Sequence, residues 1–596
     1  MNIFTIARDR RAFLVLVLSL LAHIAFSGPA AAQEEPPPTV EPVVEPTAEP
    51  TAEPTAVPTA VPRPLDGRFG VVESFEDPAA ASRLRVGWTR ARFQWADVQP
   101  NSPHEWEPPL DDEALAADLD AGREVVGLLI GIPDWARGEG GVPRGLSLAH
   151  DDPRNTWAVF VDEAVSRYAG RIDRWIIWNE PDIDDPVAPG HTWDGDIEEF
   201  AQLQRTAYLA AKAANPTAVV HLGAFTYFWD PGYFARFLDV VAADPEAAAH
   251  SYYFDAATAH LYFQPNAVYN VLYAFRQVMA ARGLDQPIWL VETNAPPMDD
   301  PYWIVDNWTL AVTLHEQAAF IPQSIAAALA AGAERIAVYK LKDTPDDRQA
   351  NPEPFGLIRW DNSRRPAYDA YRVAIQRMSG VTAAERERWD GGGQVRLEQA
   401  EQTTTVLFAR LPGSQQARVT ATAETAELVN MWGQSETIEA VGGFFTVELP
   451  AALCRQTIAD YCMIGGTTYY LIQKKGEPLL PGELPPEEEA ATSSATPPAP
   501  PATELAHTPT PSPEATATPE ATATPEAIAT PKATATGDAS ALAVRPQVTP
   551  EAELIQPTSG EATLPANSTG LVALGLGLVL AIGMAGWWLA VRRRVN

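Results

Sequence analysis

Eight short runs rich in β-branched and aromatic residues recur between positions 69 and 341, and amphipathic stretches separate them. Few folds accept that alternation. Strands joined by helices build a parallel sheet buried on both faces, and eight such strands are the number that closes a (β/α)8 barrel. The runs cover 69–74, 86–93, 124–132, 174–178, 218–224, 256–262, 288–292 and 335–341, with helical patterns at 157–168, 197–214, 231–242, 267–282 and 321–331. An open doubly wound sheet is the alternative, but no Gly-x-Gly-x-x-Gly follows the first run, so a dinucleotide fold lacks its phosphate cradle. Beyond Gly380 the pattern becomes short alternating segments divided by turns, which predicts a small antiparallel β-sandwich over 380–475. Cys454 and Cys462 fall near its end; a disulfide is expected in an exported protein, two free thiols being the alternative.

The flanks read differently. Arg8, Arg10 and Arg11 precede an apolar run and then Ala30-Ala31-Ala32, the pattern of a secretory signal over 1–32, with an uncleaved anchor as the alternative. Residues 33–64 and 476–567 are Pro/Thr/Ala/Glu repeats with little to bury, hence linker and stalk. Residues 570–591 carry no charge and are long enough for one transmembrane helix, and Arg592, Arg593 and Arg594 predict a cytoplasmic tail over 592–596. The expected localisation is therefore the cell membrane, single-pass, with the body outside the cytoplasm and 65–379 forming the barrel. Charge narrows the partners. With 43 basic against 77 acidic residues and a net charge of −34, the chain cannot supply the cationic surface that nucleic acid requires. Two cysteines cannot make a four-thiolate metal site, and no HExxH-type cluster appears, so neither metal nor cofactor is expected.

In such a barrel the reacting groups follow the strands. The fourth run ends in Trp178-Asn179-Glu180-Pro181 and the seventh in Val291-Glu292-Thr293-Asn294, so each delivers one glutamate, 112 positions apart. Two carboxylates facing one pocket, one giving a proton and one attacking carbon, are what hydrolysis of a glycoside needs. These motifs resemble the retaining glycoside hydrolases of clan A, most closely family 39, with family 5 similar at the motifs. The resemblance spans roughly residues 68–375 and implies a carbohydrate substrate, with Glu180 as acid/base and Glu292 as nucleophile. It also implies that Arg90 keeps the nucleophile ionised and that Asn179 contacts the sugar. In His260-Leu261-Tyr262, similar to the clan's His-x-Tyr, Tyr262 would orient Glu292. Trp135, in Pro133-Asp134-Trp135-Ala136, and Trp178 would line the substrate site. One departure concerns the clan's tryptophan after strand eight: Lys340 is expected in its place, either beside the sugar or pointing outward. A carbohydrate-binding or adhesion protein that has lost turnover is the alternative function.

Overall fold

The computed structural model describes residues 64–479 except 189, 307, 351 and 352. The signal, linker, stalk, transmembrane and tail segments expected from the sequence lie outside those residues. Among the described residues no helix is long and apolar enough to cross a membrane.

Eight parallel strands form the barrel: β1 Asp66–Val72, β2 Val86–Gln94, β3 Glu124–Ile130, β4 Arg174–Ile177, β5 Val219–His221, β6 Ala257–His260, β7 Ile288–Thr293 and β8 Arg335–Val338. Neighbours pair in sequence order, and β1 pairs with β8. The last seam, β5 to β6, is stitched by isolated parallel bridges His221–Ala256 and Phe225–Ala259. That closure excludes the open sheet. β5 is shorter than the expected 218–224 because the chain past His221 leaves regular pairing and bridges to both sides, Ala224 to Asn179 and Phe225 to Ala259.

A helix follows each strand: α1 Pro78–Leu84, α2 Asp112–Asp120, α3 Thr156–Tyr168, α4 Ile197–Ala214, α5 Tyr233–Ala242, α6 Pro265–Ala280, α7 Leu314–Ala330 and α8 Pro366–Met378. Their starts are chemically marked. Asp196 and Thr313 make capping boxes with Glu199 and Glu316, satisfying backbone N–H groups that a helix start leaves open. Pro322 sits inside α7, where the sequence reading began the helix at 321; the cap at Thr313 is the true start.

Inside the barrel, large rings meet small residues. A Cβ on Gly127 would lie 2.4 Å from the Trp175 ring, and one on Gly70 2.3 Å from Trp88. Both tryptophans are fully buried. At the N-terminal rim Glu124 pairs with Arg174 at 2.6 Å and with Arg335, and the Arg335 guanidinium lies 4.4 Å over the Trp289 ring. This is the floor of the barrel, opposite the strand ends that carry Glu180 and Glu292.

The antiparallel unit follows α8. Six strands form one sheet in the order β14-β13-β18-β11-β10-β9, and β12 pairs with β15. Their ranges are β9 Ala383–Trp389, β10 Gly392–Glu398, β11 Gln402–Ala409, β12 Gln415–Thr420, β13 Thr425–Asn430, β14 Ser435–Glu439, β15 Phe444–Leu449 and β18 Tyr469–Lys474. Two-residue strands β16 Thr457–Ile458 and β17 Tyr461–Cys462 make a small hairpin. Leu407, Val419, Phe445, Val447 and Leu471 form the core between the sheets. Cys454 and Cys462 are disulfide-bonded. The unit is fastened to α7: buried Gln323 donates to Gly466 O at 2.9 Å and accepts from Gly465 N at 3.0 Å.

The start of β1 and the end of β18 both lie near the floor. The Asp66 carboxylate accepts from Gly380 N at 2.8 Å, and Gln399 donates to Ser379 O at 2.7 Å. Lys475 N donates to Glu401 O at 3.3 Å, so β18 ends beside the start of β1 and the end of α8.

Candidate active site

Two strand ends bring the glutamates together. After β4 the backbone turns sharply: Trp178 and Glu180 both adopt positive φ, 73° and 49°. Left-handed backbone costs a non-glycine residue energy and is kept where the surroundings enforce it. Here Glu180 N donates to Ala224 O at 2.9 Å, which pins the turn against the neighbouring strand end. The result points Glu180, half-buried, into the barrel mouth. Glu292 reaches the same place from the end of β7, where the register with β6 and β8 shifts, and is 6% exposed.

His260 lies between them. Its Nδ1 is 2.7 Å from Glu180 Oε1 and its Nε2 is 3.6 Å from Glu292 Oε1. One oxygen of each carboxylate and one imidazole nitrogen all fall within 4.8 Å of one another. Glu292 is further held by Arg90, whose Nη2 donates to Oε1 at 2.5 Å, and by the Tyr262 hydroxyl, which donates to Oε2. Burial by itself would push the Glu292 carboxyl up. The charges of His260 and Arg90, with hydrogen bonds from Tyr262 and Arg90, outweigh it and hold the group below its usual range. Burial and the nearby Glu292 charge drive the Tyr262 phenol well above its ordinary value, so it stays a donor.

A dication could in principle be offered Glu180, His260 and Glu292. Arg90 argues against it. A guanidinium already neutralises Glu292 and would repel a second cation at the same oxygen.

The other sequence candidates divide. Asn179 is half-buried at the mouth, and its carbonyl accepts from the Thr192 hydroxyl. Trp135 is also half-buried; its Nε1 donates to Gln99 O at 2.7 Å and its ring meets Trp95 edge-on. Trp178 is placed differently from the expectation. It is 1% exposed and wedged between Trp157 and Trp193, because the positive φ turns its ring into the wall while sending Glu180 inward. Lys340 also differs: its ammonium is buried and pairs with Glu73 and Asp347. The aromatic that reaches the site from β8 is Tyr339, one position earlier. Its ring lies edge-on to Tyr262 at 6.4 Å, and the Glu292 charge, after burial, helps raise its phenol.

Asp182 is a participant the sequence reading missed. It is 1% exposed and accepts from Thr226 N and Tyr227 N, each at 2.9 Å, and from Thr226 Oγ1 at 2.9 Å. Phe225 O in the same segment accepts from His260 N at 3.0 Å. Asp182 thus ties the loop carrying Glu180 to the segment that seats His260. Burial first, then the neighbouring Glu180 charge, push its carboxyl up to about 6 against the donors from Thr226 and Tyr227. Only its place two residues after Glu180 hinted at this.

No family model matches the sequence, and no curated protein matches it. Solved structures do resemble the fold. A family 39 glycoside hydrolase from Bacteroides cellulosilyticus WH2 superposes with a TM-score of 0.52 at 17% identity, covering 69% of this chain and 81% of that one. A glucosidase from Croceicoccus marinus gives 0.46 at 14% identity over 70% and 96% of the two chains. A monomeric β-xylosidase from Caulobacter crescentus CB15 gives 0.45 at 14% over 69% and 97%. The first likeness establishes that this chain shares the (β/α)8 fold of a clan A, family 39 glycoside hydrolase.

Proposed function

We propose that the protein is a retaining glycoside hydrolase. The observation that carries the reading is the pair of glutamates from β4 and β7, with carboxylate oxygens within 4.8 Å of each other across His260. Retaining enzymes hold their two carboxyl groups ~5–5.5 Å apart, whereas inverting ones leave ~6.5–9.5 Å for a water. The environments also differ as two roles demand. Glu292, with a guanidinium and a phenol on its oxygens, is kept as an anion and attacks the anomeric carbon. Glu180, partly open to the mouth, gives its proton to the glycosidic oxygen as that bond breaks. In the second step Glu180 takes a proton from water, the water oxygen bonds to the anomeric carbon, and Glu292 is released.

The same reading places the body outside the cytoplasm, held to the membrane by residues 570–591, and rests there on sequence alone. Cell fractionation of the full chain beside one truncated at Lys475 tests it: the full chain belongs in the membrane fraction and the truncation in the medium.

The deciding experiment for activity is a screen on aryl β-glycosides and polysaccharides, with the anomer of the first product followed by NMR. Retained configuration is expected, together with loss of turnover in Glu292→Gln. Inverted product, or undiminished turnover in that variant, would overturn the mechanism.

A further inference from the structure

Next to the two glutamates, where the ends of β1 and β8 adjoin, a lysine is held between acids. Lys340 Nζ pairs with Glu73 and with Asp347, the latter at 3.1 Å, and the residue is 4% exposed. Burial would pull such an ammonium down, but the carboxylates of Glu73 and Asp347 more than offset it and hold the group charged. Glu76 stands close by as a third acid, its own carboxyl raised by burial and then by the Glu73 charge. Lys342 donates to Glu76 O at 3.4 Å. Three acids, Glu73, Glu76 and Asp347, against two lysines, Lys340 and Lys342, leave this edge of the site with one excess negative charge.

The cluster adjoins residues that touch the reacting groups. Glu73 N donates to Arg90 O at 3.4 Å, which sets Glu73 beside the arginine that holds Glu292. Tyr339, covalently next to Lys340, is acted on by both Glu292 and Glu73. Arg90 is thus committed to Glu292 and Lys340 to Glu73 and Asp347, so neither is free for a substrate carboxylate, which would meet the surplus negative charge of the cluster.

We infer that this arrangement makes the site select uncharged sugars and reject uronides, with Glu73 and Asp347 masking Lys340 as an anchor for a sugar carboxylate. The inference rests on the glycosidase reading and adds the substrate class to it. A like charge placed against a partly desolvated carboxylate weakens binding strongly, and releasing a masked cation reverses the sign.

The test compares aryl β-glycosides that differ only at C6, glucoside with glucuronide and galactoside with galacturonide, using the purified full chain. Wild type should favour the neutral member of any pair it cleaves by at least ~10-fold in kcat/KM. Glu73→Gln should raise the uronide-to-neutral ratio by ~10-fold, and Asp347→Asn should move it the same way. Asp347→Asn decides the matter if circular dichroism shows that Glu73→Gln does not fold. A wild type that cleaves uronides as well as their neutral partners, or variants that leave the ratio unchanged, would overturn the inference while sparing the glycosidase reading. Turnover of no glycoside at all would defeat that reading and this inference with it.

Discussion

Replacing Arg90 with methionine removes the guanidinium from Glu292 while keeping a long apolar side chain in its place. In the wild type the Glu292 carboxyl is held low despite burial, because His260, Arg90 and Tyr262 favour its anion. A group with a depressed folded pKa contributes stability above its unfolded value and loses it as pH falls through the folded value. Without Arg90, both its charge and its hydrogen bond disappear, and burial gains the upper hand. The folded value of the Glu292 carboxyl should therefore rise. At pH ~7 the variant should be ~3–5 kcal/mol less stable, the usual cost of stripping one partner from a buried ion pair. On going from pH ~7 to pH ~4 the variant's carboxyl takes up its proton before the wild type's does, so the penalty should shrink. Urea unfolding of both proteins at the two pH values measures it. Destabilisation of equal size at neutral and acid pH would refute the claim that Arg90 acts by holding Glu292 ionised.

Other perturbations give separate expectations. Tyr262→Phe deletes the hydroxyl donor to Glu292 Oε2; a hydrogen bond to a charged group is worth ~1.5–3 kcal/mol, so kcat/KM should drop ~10- to 100-fold with an unchanged circular dichroism spectrum. The acid limb of that variant's pH–rate profile should move to higher pH, since one of the contacts lowering Glu292 is gone. Asp182→Ala strands three donors on Thr226 and Tyr227; unfolding should reveal a loss of ~2–4 kcal/mol, and kcat should fall more than KM rises. Gly127→Val drives side-chain atoms into the Trp175 ring; a loss of ~1–3 kcal/mol or more is expected by chemical denaturation.

Much of the barrel was legible because several of its strands are buried on both faces and carry apolar runs, as β3 does from Val125 to Ile130 and β7 from Ile288 to Val291. Edge strands are harder. β9, with its Glu-Arg-Glu-Arg stretch, and β14, nearly all exposed, have only one paired neighbour each and carry no apolar signal. Glu180, Glu292, Arg90, His260 and Tyr262 could be picked out because strand ends are where a barrel exposes side chains, and the structure brings those five together. Orientation past a strand end was another matter. β8 ends at Val338, so the two-residue period of a strand no longer says which of Tyr339 and Lys340 faces the site. The left-handed turn at Trp178 likewise cannot be read from residue identity, since such backbone is usually left to glycine or asparagine. Asp182 escaped because its partners, Thr226 and Tyr227, are over forty positions away and were unremarkable as letters.

The first and last strands of the described chain have a mechanical meaning. β1 starts at the floor, and β18 finishes beside it through Lys475 and Glu401. Each is an interior strand, β1 between β2 and β8 and β18 between β13 and β11. A pull from either end would enter along a strand with partners on both sides and load their hydrogen bonds in shear. The loops bearing Glu180 and Glu292, at the opposite rim, lie off that line of force. Force applied through either strand therefore enters the barrel from the side opposite its open mouth.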